Sequence, residues 1–336
     1  MIASGSRATE AVLAAVTEVT GHPREILLLD ADLEDDLGIR LGARPEILRR
    51  AAGTLGVPVP AAPEARTLRA LAATLGEGAG ARRAPLEGKV AFVTGSGHGI
   101  GKVLVRELAA LGAAVVVNSF HSRDRGEATT AELVAEGRTA VHLWGSVAQP
   151  RHLDEMFDQI RERFGVLDIF VNNASNGLIA PLEHVTPEHW EKSYRTNVIA
   201  LHQGAMRAAA LMTRGGDIAS LTSPAAQKCT QLFGCQGTIK AAVEGLLRYL
   251  AVELSPRGIR VNAIAPGPIY GELLDRYPES SRLIRLWESI SPERRLRTEK
   301  EVAQFLVRYL TDKTLPLSGT VVLADSGVTI PMHAYR

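Results

Sequence analysis

The stretch VTGSGHGIG, Val93 to Gly101, determines how most of this chain folds. It closes a short apolar run and opens a segment with helical periodicity, and its glycines stand in a T-G-x-x-x-G-x-G arrangement. Glycines let the backbone turn tightly and approach a pyrophosphate, whose charge then lies at the N-terminus of the helix. Between a strand and a helix, this pattern predicts a dinucleotide loop rather than a turn that binds nothing. The predicted cofactor residues here are Gly95, Ser96, His98, Gly99, Ile100 and Gly101.

Short apolar runs alternate with amphipathic helical patterns around this loop. Seven runs are strand candidates: KVAFVT, AAVVVNS, TAVHLW, LDIFVNN, DIASLTS, IRVNAIA and TVVLAD. Because helical patterns of about ten or more residues separate them, they predict a parallel sheet that helices cover on both faces. The expected fold class is α/β, a Rossmann-like doubly wound parallel sheet of about seven strands.

A change in composition separates this region from the N-terminal part of the chain. In GEGAGARRAPLEGK, residues 76–89, Gly, Ala, Arg and Pro dominate and no periodicity remains, which indicates a linker. Before it, ATEAVLAAVTEVTG carries an apolar helical face that ends at Gly21, and PEILRRAAGTLG and TLRALAATLG repeat the pattern. We therefore expect a small all-α bundle at 1–78, a linker at 79–87 and the α/β domain at 88–336.

The bulk composition disfavours several classes of partner. With 46% hydrophobic residues and a net charge of +1, nothing favours nucleic acid or an anionic membrane as a partner. The chain has no run of about 18 apolar residues and no basic segment followed by an apolar run at its start, so we expect a cytoplasmic protein. Cys229 and Cys235 have no histidine–cysteine cluster around them, so we expect reduced thiols and no metal site.

The segment after the second strand indicates which dinucleotide binds. A site that prefers NAD usually places a carboxylate there, on the ribose 2′-hydroxyl. This chain has Asn118 and Ser119 instead, followed by His121, Arg123 and Arg125. Because an arginine pairs with a 2′-phosphate that a carboxylate would repel, the segment predicts NADP (NADPH), held by Asn118, His121 and Arg123. The alternative is that the arginines form the solvated start of the next helix.

Together with later motifs, these residues resemble the short-chain dehydrogenase/reductase family over residues 88–330. NNAS (Asn172 to Ser175) resembles the family's N-N-A-G element, Asn197 in RTNVIAL matches its active-site asparagine, and PRGIRVNAIAPGPI matches the loop beside the nicotinamide. LSGTVVLADSG is similar to its C-terminal strand, and GSVAQP, DIFVNNAS and YLAVELSPRGI look most like enoyl- and 3-oxoacyl-acyl-carrier-protein reductases. The resemblance implies further cofactor contacts at Ser146, Val147, Asn173, Ala174, Lys240, Pro266, Gly267 and Ile269.

The same family uses a serine, a tyrosine and a lysine, with the tyrosine four residues before the lysine and the serine thirteen before the tyrosine. Ser223 and Lys240 stand at matching positions, but the tyrosine position holds Gln236. The enoyl reductase spacing puts the tyrosine seven residues before the lysine, where this chain has Phe233. The residues implied for catalysis are Asn197, Ser223, Gln236 and Lys240, and those implied for substrate contact are Phe233 and Tyr270.

Loss of the tyrosine removes the group that gives a proton to the forming alkoxide or enolate. Glutamine has no proton to give near neutral pH, although Gln236 can still donate an amide hydrogen bond to a carbonyl oxygen. Other sources of the proton stay open: Tyr270, a water relayed through Asn197 and Lys240, or Cys235. Tyr270 would be excluded if it packs on the substrate lid, which the resemblance places at residues 270–295. Gly271 also departs from the family, which often has a threonine there that contacts the carboxamide.

The segment EVTGHPREILLLDADLEDDLGIRLGARPEIL in the N-terminal domain resembles an acyl-carrier domain of polyketide and polyunsaturated-fatty-acid synthases. In that family DLGI is followed by Asp-Ser, whose serine carries phosphopantetheine, whereas here Arg40 and Leu41 follow. Leucine has no hydroxyl for the phosphodiester, so no phosphopantetheine is expected. Such a domain can dock a synthase or carrier protein, support oligomerisation, shape the entrance to the large domain, or be a relic that aids solubility.

Three functions stay open at this point. The first is an NADP-dependent reductase of a carrier-bound acyl or polyketide thioester, with a substitute proton donor. The second is a non-redox enzyme on such an intermediate, a cyclase, dehydratase or isomerase. The third is a catalytically inactive scaffold or binding protein of a polyketide pathway. Family members are commonly dimers or tetramers, so we expect a homodimer or homotetramer joined through AAVEGLLRYLAVEL, unless that helix is internal.

Overall fold

The computed structural model describes residues 7–59, 65–76, 84–275 and 279–329. The chain divides into two compact units, Met1–Arg83 and Ala84–Arg336. Residues 79–83 of the predicted linker lie outside the described residues, so that prediction stays open.

The first unit contains three helices whose apolar faces share one core. They are α1 (Arg7–Thr20), α2 (Arg44–Leu55) and α3 (Leu68–Gly76). Gly21 follows α1 at φ 74°, a left-handed conformation in which helices commonly end. Val16, Leu48 and Leu71 are fully buried in the core, whereas Leu41 is 62% exposed at the start of a 3₁₀ turn. The resemblance of this unit to carrier proteins stays a prediction.

The second unit is centred on a seven-stranded parallel sheet. The strands of this sheet are β1 (Val90–Val93), β2 (Ala114–Ser119), β3 (Ala140–Trp144), β4 (Ile169–Asn172), β5 (Gly216–Leu221), β6 (Ile259–Pro266) and β9 (Val321–Ala324). Two short strands, β7 (Ile269–Tyr270) and β8 (Arg297–Thr298), form a separate pair. The order in the large sheet is β3-β2-β1-β4-β5-β6-β9. The order runs outward in both directions from β1, so β1 and β4 meet at the switch point of a doubly wound fold. The predicted α/β fold class is confirmed.

Helices cover both faces of this sheet. They are α4 (Gly99–Ala110), α5 (Arg123–Ala135), α6 (Pro150–Phe164), α8 (Ala200–Leu211), α9 (Gly234–Leu254) and α12 (Glu299–Thr311). The described residues of this unit also form α7 (Pro187–Tyr194), α10 (Glu272–Asp275) and α11 (Ser280–Ile290). Because side chains alternate along a strand, Phe92 of β1 joins one core with α6, α8 and α9, while Val93 joins the other with α4, α5 and α12. None of the helices within the described ranges has the length and apolarity that a membrane span needs.

The close approach of α8 to the sheet depends on one glycine. Gly204 faces Phe170 of β4, and a Cβ built on it would lie 2.6 Å from the ring carbon Cζ. Phe92 and Phe157 pack against the same ring, with centroids 5.6 and 5.8 Å away. A side chain at position 204 would therefore push α8 away from β4.

We expect Gly204→Ala to lower the free energy of unfolding by about 1–3 kcal/mol, because the added methyl overpacks a filled core. Gly245→Ala is the matched control, since Gly245 also lies within a helix, α9, but a Cβ there meets open space. The better helix propensity of alanine should stabilise that variant by about 0.5–1 kcal/mol. Urea unfolding measures both changes, and equal stabilisation of the two variants would contradict the packing of α8.

Candidate functional site

A cavity of about 1050 Å³ opens at the carboxyl ends of the sheet strands. Its wall comes from the segments that follow β1 to β6, which a doubly wound sheet brings to one edge. The predicted cofactor residues on this wall are Gly95, His98, Gly99, Ile100, Asn118, His121, Ser146, Val147, Asn173, Ala174, Lys240, Pro266, Gly267 and Ile269. The predicted catalytic and substrate residues on it are Ser223, Phe233, Gln236 and Lys240.

The glycine loop after β1 lets a ligand approach the backbone closely. Gly95 has φ 62°, and a Cβ on it would lie 2.9 Å from the Cα of Ala174. A Cβ on Gly101 would lie 2.7 Å from the carbonyl oxygen of Gly95. Helix α4 begins at Gly99 on the cavity wall, where its first N–H groups lack partners within the helix. This cradle and helix terminus fit a pyrophosphate.

Two predicted cofactor residues shape the loop and are not on the cavity wall. Ser96 is fully buried, and its Oγ donates to the carbonyl oxygen of Val93 at 2.7 Å. Gly101 supports the loop through its close approach to Gly95, and neither Ser96 nor Gly101 lines the cavity among the described residues. Asn118 does line it, but its amide is engaged: Oδ1 accepts the N–H of Gly95 at 3.0 Å and Nδ2 donates to two backbone carbonyls. Asn118 thus also holds the loop in shape.

The arginines after β2 are paired with glutamates. Arg123 Nε donates to Glu127 Oε1 at 2.8 Å, and its guanidinium lies 6.0 Å from the centroid of the Trp144 ring. Arg125 Nη1 donates to Glu272 Oε1 at 2.8 Å. Arg123 is not on the wall among the described residues, which favours a solvated helix start for this residue. Exposed ion pairs contribute only about 0–1 kcal/mol, so a phosphate can still compete for either arginine.

Lys240 and Asn197 form the centre of the predicted catalytic cluster. Lys240 Nζ donates to Asn197 Oδ1 at 3.0 Å and to the carbonyl oxygen of Leu221 at 2.9 Å. Burial lowers the pKa of Lys240 to about 8, because the ammonium has lost its water. Asn197 is buried behind the wall in a π-helical turn, Arg195–Ile199, and such turns are frequent at functional sites.

Gln236 occupies the tyrosine position and is joined to this pair through Ser175. Gln236 Nε2 donates to Ser175 Oγ at 2.9 Å, and Ser175 Oγ donates to Asn197 Oδ1 at 2.9 Å. The other amide atom of Gln236, Oε1, is buried without a hydrogen-bond partner among the described residues. Ser175 is missing from the predicted site, although the serine that ends NNAS, in place of the family's glycine, is a signal that points to it.

A buried glutamate holds the segment around Ser223, and the sequence patterns did not reveal it. Ser223 Oγ accepts a backbone N–H two residues on and so caps a 3₁₀ turn. Glu244 of α9 accepts from Thr222 Oγ1 at 3.0 Å and from Gln227 Nε2 at 3.1 Å. Its carboxylate therefore ties the residues on both sides of Ser223 to the helix that carries Lys240.

Neither Tyr270 nor Cys235 is placed to replace the missing tyrosine. The Tyr270 hydroxyl donates to the carboxylate of Glu288, which raises the pKa of Tyr270, and it accepts the N–H of Leu296 at 3.4 Å. Its ring packs against the small apolar cluster of Phe233, Leu274 and Leu296, and among the described residues it does not line the cavity. The placement of Tyr270 therefore favours packing on the lid over a role as the proton source, and its contact with substrate stays a prediction. The Cys235 thiol is 1% exposed, and burial raises its pKa.

A glutamate that the sequence patterns left unassigned lies at the cofactor end of the cavity. Glu299 Oε1 is 2.5 Å from the place a Cβ would take on Gly271, and 3.7 Å from a Cβ built on Gly99. Burial and the neighbouring Glu272 raise the pKa of Glu299. Its carboxylate thus fills the space above Gly271, next to the helix terminus that fits a pyrophosphate.

Known proteins that are similar to this chain include reductases. The family model described as enoyl-(acyl carrier protein) reductase matches residues 95–329. The 1-cyclohexenylcarbonyl-CoA reductase of Streptomyces collinus is 32% identical over 249 residues, which cover 72% of this chain and 87% of that protein. The versicolorin reductase of Emericella nidulans is 29% identical, over 72% of this chain and 96% of that protein.

Solved structures with the same fold include complexes with NADP. A short-chain dehydrogenase from Burkholderia cenocepacia J2315 in complex with NADP has a TM-score of 0.68 and 30% identity, over 73% of this chain and 99% of that one. A gluconate 5-dehydrogenase from the same organism, in complex with NADP and tartrate, has a TM-score of 0.69 and 27% identity, over 74% of this chain and 97% of that one.

We expect Glu299→Gln to tighten NADP binding about fivefold at low ionic strength. A unit charge a few ångströms from a phosphate contributes about 1 kcal/mol even in a water-like medium, and this repulsion disappears in the variant. For the same reason, NADP affinity of the unmodified protein should rise as the pH falls through the raised pKa of Glu299. Calorimetric titration measures both effects. Glu253→Gln, an exposed change in α9, is the control, and an equal gain there would contradict a local role for Glu299.

Proposed function

Because the chain belongs to the short-chain dehydrogenase/reductase family, we propose that it is an NADP-dependent reductase of a carrier-bound acyl or polyketide thioester, with Gln236 in place of the usual tyrosine. The observation that carries the proposal is the buried Lys240–Asn197 pair at the cavity beside the glycine cradle. A buried ionisable group in a cleft whose pKa is shifted, as that of Lys240 is, makes the cleft a candidate functional site. The relatives support the substrate class, since one is named for a CoA thioester and another for versicolorin.

The residues present fit a dinucleotide. The cradle leaves no room for a side chain at Gly95 or Gly101, and helix α4 begins at the cavity wall. When bound, NADPH supplies a hydride to the substrate. The residues that would hold it are Gly95, His98, Gly99, Ile100, His121, Ser146, Val147, Asn173, Ala174, Lys240, Pro266, Gly267 and Ile269.

Lys240 is the titratable group of the catalytic cluster that can supply a proton. Below about pH 8 it is mainly an ammonium. Two of its three hydrogens form hydrogen bonds, to Asn197 Oδ1 and to the carbonyl oxygen of Leu221. The third can be donated to a substrate oxygen, directly or through a water. The neutral amine then regains a proton from solvent. Gln236 takes no part in this proton transfer.

Purified protein should oxidise NADPH in the presence of a short enoyl or 3-oxoacyl thioester, measured by absorbance. Because the protonated form of Lys240 is the active one, the rate should be level below about pH 8 and fall about tenfold per pH unit above it. Lys240→Met should abolish turnover, whereas Lys300→Met, an exposed change in α12, should not. A rate that rises through pH 8 would exclude Lys240 as the acid.

Gln236→Tyr restores the missing donor, and we expect it to raise the turnover number about 100-fold or more, which is what a positioned general acid contributes. Gln236→Phe is the control, because it supplies the ring without the hydroxyl. An equal gain with phenylalanine would mean that ring packing, and not the proton, limits the reaction.

A second candidate is a catalytically inactive binding or scaffold protein of a polyketide pathway. Both tyrosine spacings are empty, at Phe233 and Gln236, and an exposed Leu41 stands at the position where a carrier domain has its serine. In this case the first unit would dock a synthase or carrier protein. Tight NADPH binding without turnover, together with turnover by Gln236→Tyr, would favour this candidate.

We also propose a homodimer or homotetramer joined through α9. Tyr249 and Val252 of this helix are 72% and 75% exposed, whereas Val243 and Leu247 on its other face are fully buried in the core. Two large, strongly exposed side chains on one face of a helix are the kind of surface that a partner helix covers.

A further inference from the structure

Gln236 can present either a hydrogen-bond donor or an acceptor to a ligand, and which of the two it presents leads to an inference that rests on the proposed function. In relatives the tyrosine presents an O–H donor at this position. A glutamine amide can present either its oxygen or its nitrogen, so the orientation has to be deduced from the partners whose roles are certain.

Lys240 fixes the orientation of the Asn197 amide, because an ammonium only donates hydrogen bonds. The Asn197 atom that lies 3.0 Å from Nζ is therefore the acceptor Oδ1. At the other end of the same amide, Asn197 Nδ2 donates to the carbonyl oxygen of Ser193 at 2.9 Å and to Asn176 Oδ1 at 3.1 Å. A backbone carbonyl only accepts, so both ends of the Asn197 amide give the same orientation.

The orientation then passes to Gln236 through one hydroxyl. Ser175 has a single hydrogen, and it is donated to Asn197 Oδ1 at 2.9 Å, since that oxygen cannot donate. A lone pair of Ser175 Oγ therefore faces Gln236, so the Gln236 atom 2.9 Å away is the donor Nε2. The remaining atom is the acceptor Oε1, which is buried and unpartnered among the described residues, in a side chain that lines the cavity.

We propose that the cavity binds a ligand whose hydroxyl, that of an enol, phenol or alcohol, donates a hydrogen bond to Gln236 Oε1. A buried acceptor without a partner is unfavourable, and a ligand hydroxyl removes that cost, whereas a bare carbonyl brings a second acceptor to the same place. Nε2 already has a partner, since one of its two hydrogens is donated to Ser175, while Oε1 has none among the described residues. The position that donates to a carbonyl in relatives therefore accepts from a hydroxyl here.

This polarity narrows the substrate class within the proposed function. A 3-oxoacyl chain offers the required donor in its enol form, and an aromatic polyketide offers it in its phenols. A saturated acyl chain whose thioester carbonyl is its sole polar group near this position has no donor to offer. The site is therefore matched to oxygenated intermediates that carry a hydroxyl.

Calorimetric titration with 2-tetralol and 2-tetralone tests the proposal, because the two probes share a skeleton and differ in C–OH against C=O. The full chain is used without NADP, so no turnover occurs. We expect the alcohol to bind about tenfold more tightly than the ketone. Gln236→Met removes the acceptor at similar length and should bring the two affinities within about twofold. Gln159→Met, the same change in α6 away from the cavity wall, should keep the tenfold preference.

Ser175→Ala gives an independent arm, since Gln236 is intact but the hydroxyl that fixes its amide is gone. The preference for the alcohol should then fall to threefold or less. Equal or tighter binding of the ketone by the unmodified protein overturns the proposal, as does an unchanged preference in Gln236→Met or binding of neither probe. Failure of the proposed reductase function appears instead in the NADPH assay, so the two failures are distinguishable.

Discussion

A buried ammonium sets the arrangement of this site. Lys240 is 7% exposed, and within the described residues its hydrogen-bond partners are two neutral oxygens, Asn197 Oδ1 and the carbonyl of Leu221. An ammonium buried against neutral oxygens alone is poorly compensated, and the lowered pKa of Lys240 expresses that deficit. Because the ammonium only donates, it fixes the direction of every hydrogen bond that runs from it through Asn197 and Ser175. One charge thus determines which atom of Gln236 is left without a partner.

At the cofactor end, one departure from the family, Gly271, lies directly against the Glu299 carboxylate. Gly271 lacks the threonine that many relatives have, and the Glu299 carboxylate stands 2.5 Å from where the Cβ of such a side chain would begin. A threonine at 271 and Glu299 in its present position would collide. The acid therefore replaces the missing side chain in space, and it brings a negative charge to the place where a phosphate is expected.

The fold was accessible from sequence because its signals are local. Alternating apolar runs and a glycine loop between strand and helix depend on neighbours in the chain, and the topology then carries Ser223, Gln236 and Lys240 to the same edge of the sheet. The contacts within the site are not local. Ser175 meets Gln236 across 61 positions, and Arg125 meets Glu272 across 147, so neither pairing leaves a periodic trace. The type and spacing of residues predicted which side chains come together at the site. Only the tertiary structure shows which of their atoms have hydrogen-bond partners and which do not.

The two edges of the sheet differ in how buried polar groups are treated, and the difference bears on function. At the amino end of β4, Asp168 is buried and accepts from Lys89 Nζ at 2.8 Å and from Arg214 Nη2 at 3.1 Å, so its charge is paired. At the cavity, Lys240 is bonded only to neutral oxygens and Gln236 Oε1 has no partner among the described residues. At Asp168 the protein itself thus completes the pairing of a buried charge. At Gln236 Oε1 the partner is left to a ligand, which would complete the hydrogen-bond network of the cavity when bound.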